Sequence, residues 1–284
     1  MCQPIKKMTF LSCCAIQLLN SPLIGAEMSN ADIAKASQNP ITMMYSLPIQ
    51  NNTYLGLGDT NKVKNIANFQ PVIPMNLNSD WDIVWRMVMP IVSTPGTPSS
   101  FNNDGIVSAF RNATTGLGDT TLSAFLAPKE SGEFIWGAGA IFYMPTASED
   151  LLKTKQWGAG PAFVGLTSNK NWTYGMLIMN VWSFGVNKSI GGKKIDFLQM
   201  QPFVNYNMGD GWFLTSVPFI TAKWKENSNN RWTVPIGGGV GKGFKINDIP
   251  VSATVQAYYN VISPDTIGED WQLRIQAQIF FPRK

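Results

Sequence analysis

The last stretch of the chain, Trp271 to Lys284, reads WQLRIQAQIFFPRK. Its odd positions are Trp271, Leu273, Ile275, Ala277, Ile279 and Phe281, and its even positions are Gln272, Arg274, Gln276, Gln278 and Phe280. An alternation of period two marks a β-strand with one apolar face. Such a face can meet either a protein core or a lipid tail. Composition and the rhythm of the loops decide between them.

The chain has 284 residues, 44% of them hydrophobic and 14% charged, against roughly 25% charged in an average soluble domain. Mean hydropathy is −0.03. Beyond the N-terminus no apolar run reaches the length of about 18 residues that a membrane helix needs. Helical spans are therefore excluded.

The N-terminus, MCQPIKKMTFLSCCAIQLLNSPLIGA, carries Lys6 and Lys7, a mostly apolar stretch from Met8, and the small pair Gly25 and Ala26. That layout predicts a secretory signal peptide over residues 1–26, cut after Ala26. A buried strand, an anchor helix and a lipoprotein site at Cys13 are the competing readings, the last weakened by its short apolar stretch. All three cysteines, Cys2, Cys13 and Cys14, fall inside the segment. The exported chain would have none, which suits an oxidising compartment. Without Lys6 and Lys7, the 22 basic residues become 20 against 18 acidic ones, so nucleic acid is not an expected partner. The sequence contains no histidine. Ser-His-Asp and Cys-His catalysis, imidazole bases and histidine metal sites are excluded with it, and no catalytic residue, metal or cofactor is expected.

Residues 27–40 form an N-terminal segment with one short helix, capped by Ser29, with Asp32 in a capping box and Pro40 at its end. A surface loop is the competing reading. A second helical period lies in DGIVSAFRNA, Asp104 to Ala113. Alternation and turn residues otherwise place strands near 42–57, 62–77, 81–92, 117–128, 133–145, 157–168, 171–184, 195–208, 212–224, 231–246, 249–260 and 270–281.

The connections alternate in length. NLNSD, PKESGE, TSNKN, NMGDG and KINDI are short, whereas STPGTPSSFNNDGIVSAFRNATTG, TASEDLLKTKQ, FGVNKSIGGKK and ISPDTIGED are long. Tight turns at one end and long loops at the other describe an outer-membrane barrel. Trp81, Trp172 and Trp212 directly follow short turns, and Phe134 follows SGE in the same way. They predict an aromatic girdle at the periplasmic interface. The expected fold class is all-β, a transmembrane antiparallel up-and-down β-barrel of about 12 strands over residues 41–284, with residues 27–40 as a periplasmic or plug segment. The apolar face of Trp271 to Phe281 then meets lipid, and Gln272, Arg274, Gln276 and Gln278 line a lumen.

The same alternation aims Asn68 and Gln70 inward, then Arg86, then Gln199, Gln201 and Asn205. Lys64, Asp119 and Lys223 join them as charges. These residues, with Arg274, are the lumen and selectivity candidates, because charged rings set ion preference and amides orient polar solutes. Bracing of the wall by pairing among Arg86, Arg274 and Asp119 is the competing role. In NWTYGMLIMNVW both faces are apolar, and in WFLTSVPFITAKW Phe213, Val217 and Phe219 fall on the lumen side. Either the register slips there or the lumen is partly apolar. Gly137, Gly139, Gly237, Gly239, Gly241 and Gly243 gather on inward positions, where they leave room for bulk opposite. GGGVGKG lacks the GK[ST] and the following helix of a phosphate loop.

NFQPVIPMNLNSDWDIVWRMVMPIV, TGLGDTTLSAFLAPK, WGAGP, WTVPIGGGVGKGF and PVSATVQAYYNV together resemble the bacterial outer-membrane proteins grouped as MetA-pathway phenol-degradation-like or putative transporter proteins, some labelled neuromedin U. The resemblance spans the mature chain. It implies an outer-membrane barrel engaged in uptake of small molecules, aromatic ones among them, and it supplies no catalytic residues. One departure is the terminus, where Pro282, Arg283 and Lys284 follow the final aromatic.

The expected function is therefore a channel or transporter for small solutes, hydrophobic or aromatic ones among them. Its expected partners are outer-membrane lipid, the barrel assembly machinery and the solute, and its expected place is the outer membrane of a Gram-negative bacterium. The alternatives are a non-conducting structural or adhesive barrel working through its long loops, an enzyme in a barrel wall, and a soluble periplasmic β-protein.

Overall fold

The computed structural model describes residues 28–184 and 194–281. The expected signal peptide with its cysteines, residues 185–193 of one long loop, and Pro282, Arg283 and Lys284 lie outside the described residues.

Twelve staves close into one antiparallel barrel. The first is β1 (Tyr45–Leu55). The second is made of β2 (Lys64–Phe69) and β3 (Val72–Asn76), and the third is β4 (Trp81–Thr94). A hairpin of β5 (Thr97–Phe101) and β6 (Val107–Arg111) sits in the following loop. The fourth stave is β7 (Thr114–Leu117) with β8 (Thr120–Pro128). Then come β9 (Phe134–Met144), β10 (Trp157–Ser168), β11 (Trp172–Phe184) and β12 (Asp196–Gly209). The ninth stave is β13 (Trp212–Ser216) with β14 (Ile220–Lys223), and β15 (Trp232–Ile246), β16 (Ile249–Ile262) and β17 (Trp271–Phe281) complete the ring. The last strand pairs with the first from Tyr45↔Phe281 to Leu55↔Trp271. No edge is left, as a wall in lipid requires.

The alternation of the last strand is realised in full. Trp271, Leu273 and Ile275 are 51%, 41% and 52% exposed on the outer wall, while Gln272, Arg274 and Gln278 are 5% exposed or less. The outer surface elsewhere is a band of exposed aliphatic and aromatic side chains. Two aromatic belts bound it. Phe134, Trp172 and Trp212 stand exposed beside the short turns, with Trp81 against Trp136 at 5.9 Å. Trp157, Trp182, Tyr259 and Trp271 stand exposed at the opposite strand ends, beside the long loops. Polar outward groups satisfy one another: the Asn51 and Asn65 amides bond at 2.9 Å, and Asn65 also donates to Thr53.

Three staves are interrupted, each beside a residue that disturbs the ladder. Pro71 offers no N–H, and β2 ends just before it. Gly118 and Asp119 part β7 from β8. Val217, Pro218 and Phe219 part β13 from β14. At that last break the ladder to β15 runs from Trp212↔Lys242 to Thr215↔Gly239 and resumes only at Thr221↔Thr233. The ladder to β12 likewise stops at Val204↔Ser216 and resumes at Met200↔Ile220.

The N-terminal helix, α1 (Asn30–Ser37), has the expected capping box. The Asp32 N–H donates to Ser29 Oγ, and the Ser29 N–H donates to the Asp32 carboxylate. It packs inside the short-turn end of the barrel, against β15, β16, β12 and β13. Gly243 makes the close approach possible, since a Cβ there would stand 2.6 Å from the Ala34 nitrogen. Ile33 and Ala34 are fully covered. The Ser252 hydroxyl donates to Ser37 Oγ, and the Gln38 amide donates to Asn207.

The helical expectation at Asp104 to Ala113 is corrected, because Val107–Arg111 is a strand paired with Thr97–Phe101. Turn chemistry overrides the weak helical period there. Asn102 Oδ1 accepts from the N–H groups of Asp104 and Ile106, and Gly105 takes φ +79° between them. The hairpin ties the long loops together: the Val107 N–H donates to Thr266 O, and the Asp59 N–H donates to Val107 O. A short helix, α2 (Ser228–Arg231), sits in the loop before β15.

Candidate functional site: the polar half of the lumen

The lumen has two unlike halves. Inward side chains of β3, β4, β8, β9, β10 and β11 form one dry cluster, with Val84, Phe125, Val164, Leu177 and Val181 at its centre and Ile41 from the N-terminal segment closing it. The register through β11 runs without a slip from Trp172↔Tyr206 to Trp182↔Asp196. The doubly apolar reading of that strand therefore reflects a partly apolar lumen. Each large aliphatic side chain buried here contributes on the order of 1.5–3 kcal/mol.

The other half, carried by β1, β2, β12, β13, β16 and β17, is polar and encloses a cavity of about 110 Å³. Residues 37–40 and Thr42 lie along it, below α1. Arg274 is its most buried charge. Its Nε donates to Asn52 Oδ1 at 3.0 Å, and its Nη1 donates to Val217 O at 2.7 Å and to Gln256 Oε1 at 3.2 Å. The guanidinium lies between the Phe219 and Tyr258 rings, 4.4 and 4.9 Å from their centroids. The wall break at Val217 to Phe219 thus supplies both a carbonyl and a ring to this arginine. Tyr258 is held in place by its own hydroxyl, which donates to Gln256 and accepts from the Val217 N–H.

Arg86, from β4, also faces the cavity and donates to Gln70 Oε1 at 2.6 Å. A chain of neutral amides connects the two arginines. Gln70 donates to Gln50, Gln50 to Gln276, Asn52 to Gln50, and Gln272 shares Asn52 with Arg274. Such networks rigidify a site when every member is satisfied.

Of the predicted lumen residues, Gln70, Arg86, Gln201, Asn205 and Arg274 line this one cavity. Asn68 lies beside it, donating to Gln50. Gln199 is on the same inward face of β12, opposite Thr221 but outside the cavity. Lys64 is paired with Glu269 toward the long loops, its ammonium 4.5 Å from the Tyr54 ring centroid. Lys223 is exposed near the same end. Asp119 meets neither arginine. Its carboxylate accepts from Ala147 N–H, Thr154 N–H and Thr154 Oγ at 2.7–3.0 Å, and so fastens the loop between β9 and β10. Mutual bracing of Arg86, Arg274 and Asp119 is therefore not how these charges are used.

Inward glycines make room as expected. A Cβ on Gly241 would stand 2.3 Å from the Phe213 ring, and one on Gly137 would approach Ile41 at 3.2 Å. The sequence reading left out Gln50, Asn52, Gln256 and Tyr258. Their signal was present in the alternation of IQNNTY and SATVQAYY, where every second residue is polar or aromatic with a hydroxyl.

Among solved structures, the chain is similar to the COG4313 outer membrane channel from Pseudomonas putida F1, with 13% identity over 84% of this chain and 96% of that one and a TM-score of 0.65. Weaker likenesses are the Escherichia coli outer membrane phospholipase A, at 10% identity, 85% and 98% coverage and a TM-score of 0.42, and the P. putida toluene transporter TodX, at 7%, 90% and 92%, and 0.44. The first of these identifies the fold as that of an outer-membrane barrel. No family model and no curated protein matches the chain.

Proposed function

We propose that the chain is an outer-membrane barrel forming a narrow channel for small solutes, with the polar half of the lumen as the selective path and the apolar half as its support. The observation that carries this reading is the acid-free cavity, which holds two arginines and a connected set of amides inside a closed lipid-facing wall. Amides and guanidinium groups at close quarters discriminate solutes without a protein conformational cycle. The cavity also has apolar lining in Phe203, Phe213 and Val217, which suits solutes with a hydrophobic part. Val217, in the wall break, lines the cavity, and Ile236, 62% exposed, stands on the outer surface of β15 within the span where its ladder to that stave is interrupted. The resemblance to the phenol-degradation-like transporter proteins and the likeness to a solved outer-membrane channel support the same reading.

A second reading, a non-conducting structural barrel, is favoured by one observation: α1 occupies the periplasmic mouth while the dry cluster fills half the lumen. Conductance separates the two. The purified barrel in planar bilayers is expected to show small, steady openings. A folded, heat-modifiable barrel that never conducts, with or without residues 28–40, would select the structural reading.

A further inference from the structure

From the same cavity we infer a more specific ligand: the carboxylate group of a small organic anion, seated against Arg274. This rests on the reading that the lumen admits a small solute. Arg274 is 1% exposed, and every partner it has is neutral. A buried charge normally finds an opposite charge, because removal from water is costly without one. Here no Asp or Glu lines the cavity, while Arg86 adds a second positive charge whose hydrogen-bond partner is also neutral.

Three polar atoms of residues that line the cavity are buried without a hydrogen-bond partner: Arg274 Nη2, Gln201 Oε1 and Thr254 Oγ1. Nη2 and the Thr254 hydroxyl are donors awaiting an acceptor. Gln201 Oε1 is an acceptor and cannot serve an anion; its NH₂ is the group that can. Arg274 Nη2, the one guanidinium nitrogen there without a partner, and the Thr254 hydroxyl are the donors a carboxylate would take, with the Arg86 charge on the same cavity. Phe213 and Val217 beside them give a short apolar substituent a place to sit. The volume of about 110 Å³ is smaller than an engineered cavity of about 150 Å³ that holds benzene in another protein, so it seats a carboxylate with a substituent as short as that of acetate, and the ring of benzoate would extend out of it along the lumen.

The test is calorimetric titration of the detergent-purified full barrel with sodium benzoate, sodium acetate, benzyl alcohol and sodium phosphate at constant ionic strength. Saturable benzoate binding is expected at least about tenfold tighter than benzyl alcohol, the size of effect that a charge-assisted hydrogen bond produces. Arg274→Gln should weaken benzoate by about tenfold or more and leave benzyl alcohol unchanged. Arg86→Gln and Thr254→Val provide the same comparison should Arg274→Gln fail to fold, each with a smaller loss. Equal binding of benzoate and benzyl alcohol would overturn the inference. Phosphate competing as well as benzoate would also overturn it, leaving a general anion site. Liposome flux of the neutral alcohol keeps the two readings apart: flux without benzoate preference removes only the carboxylate site, and binding without flux removes only the channel.

Discussion

The two halves of the lumen solve the same problem with opposite chemistry. Around Leu177 and Val164 the barrel is filled as a soluble core would be, with aliphatic side chains closing on Ile41. Around Arg274 it is filled by amides, hydroxyls and aromatic rings that leave a cavity and three unpartnered polar atoms. The first arrangement has nothing left to bind. The second keeps a cavity and is incomplete in hydrogen bonding, and a bound solute would account for both.

The largest effect should come from forcing the polar chemistry into the dry half. Leu177→Lys buries an unpaired ammonium among Val84, Phe125 and Val164, at a cost of several kcal/mol. Loss of the heat-resistant folded band on unboiled gels is the expected outcome. A folded Leu177→Lys barrel would mean that the dry half is hydrated, and the comparison would fail.

A smaller effect is expected at the seam between helix and wall. Gly243→Val places side-chain atoms where the Ala34 nitrogen now stands, so α1 should leave the lumen while the barrel remains closed. Limited proteolysis would then cut near Ser37, and conductance would rise. If α1 stays protected, the helix is held by more than this contact.

Arg274→Gln comes next and acts on the polar half alone. It removes a buried charge and leaves Asn52 Oδ1 and Val217 O short of a donor, a loss of about 1–3 kcal/mol by the usual cost of an unsatisfied group. The barrel should still fold, as measured by its thermal transition. A loss as large as that of Leu177→Lys would make the arginine a structural keystone.

The smallest effect is local to α1. The Ser29 hydroxyl and backbone N–H hold the Asp32 carboxyl below its ordinary value. Its folded pKa being depressed, this support is present above the ordinary carboxylate range and is lost as pH falls through the folded value. Acid should therefore speed amide exchange in residues 30–37 before it affects the barrel. Ser29→Ala, a cap loss of about 1 kcal/mol, should reproduce that change at neutral pH and weaken its pH dependence, the Ser29 N–H bond to Asp32 remaining.

Much of this architecture was legible in the chain. The alternation from Trp271 to Phe281 and the short turns before Trp81, Phe134, Trp172 and Trp212 placed the wall, because lipid on one side imposes a strict period of two. The capping box of α1 was equally plain, being local. The division of the lumen was not, since residues as distant in sequence as Val84 and Leu177 join only through the closed ring. Nor was the use of Asp119: alternation said that it points inward, but not that the loop at Ala147 and Thr154 returns to it. The helix expected at Asp104 failed for a similar reason, because Asn102 and Gly105 make a tight turn whose partner strand lies upstream. Val217 to Phe219 shows the limit most clearly. A proline-centred break reads as a defect in a strand, and only the fold reveals that it turns inward to hold Arg274.

The most direct test of the account is the reversal potential of single channels from the purified barrel under a salt gradient, measured for the native chain and for Arg274→Gln. A cavity lined by two arginines and no acid predicts anion preference in the native channel and a shift toward no preference in the variant. A cation-preferring native channel, or a preference indifferent to Arg274, would place the conducting path elsewhere and contradict the assignment of the polar half.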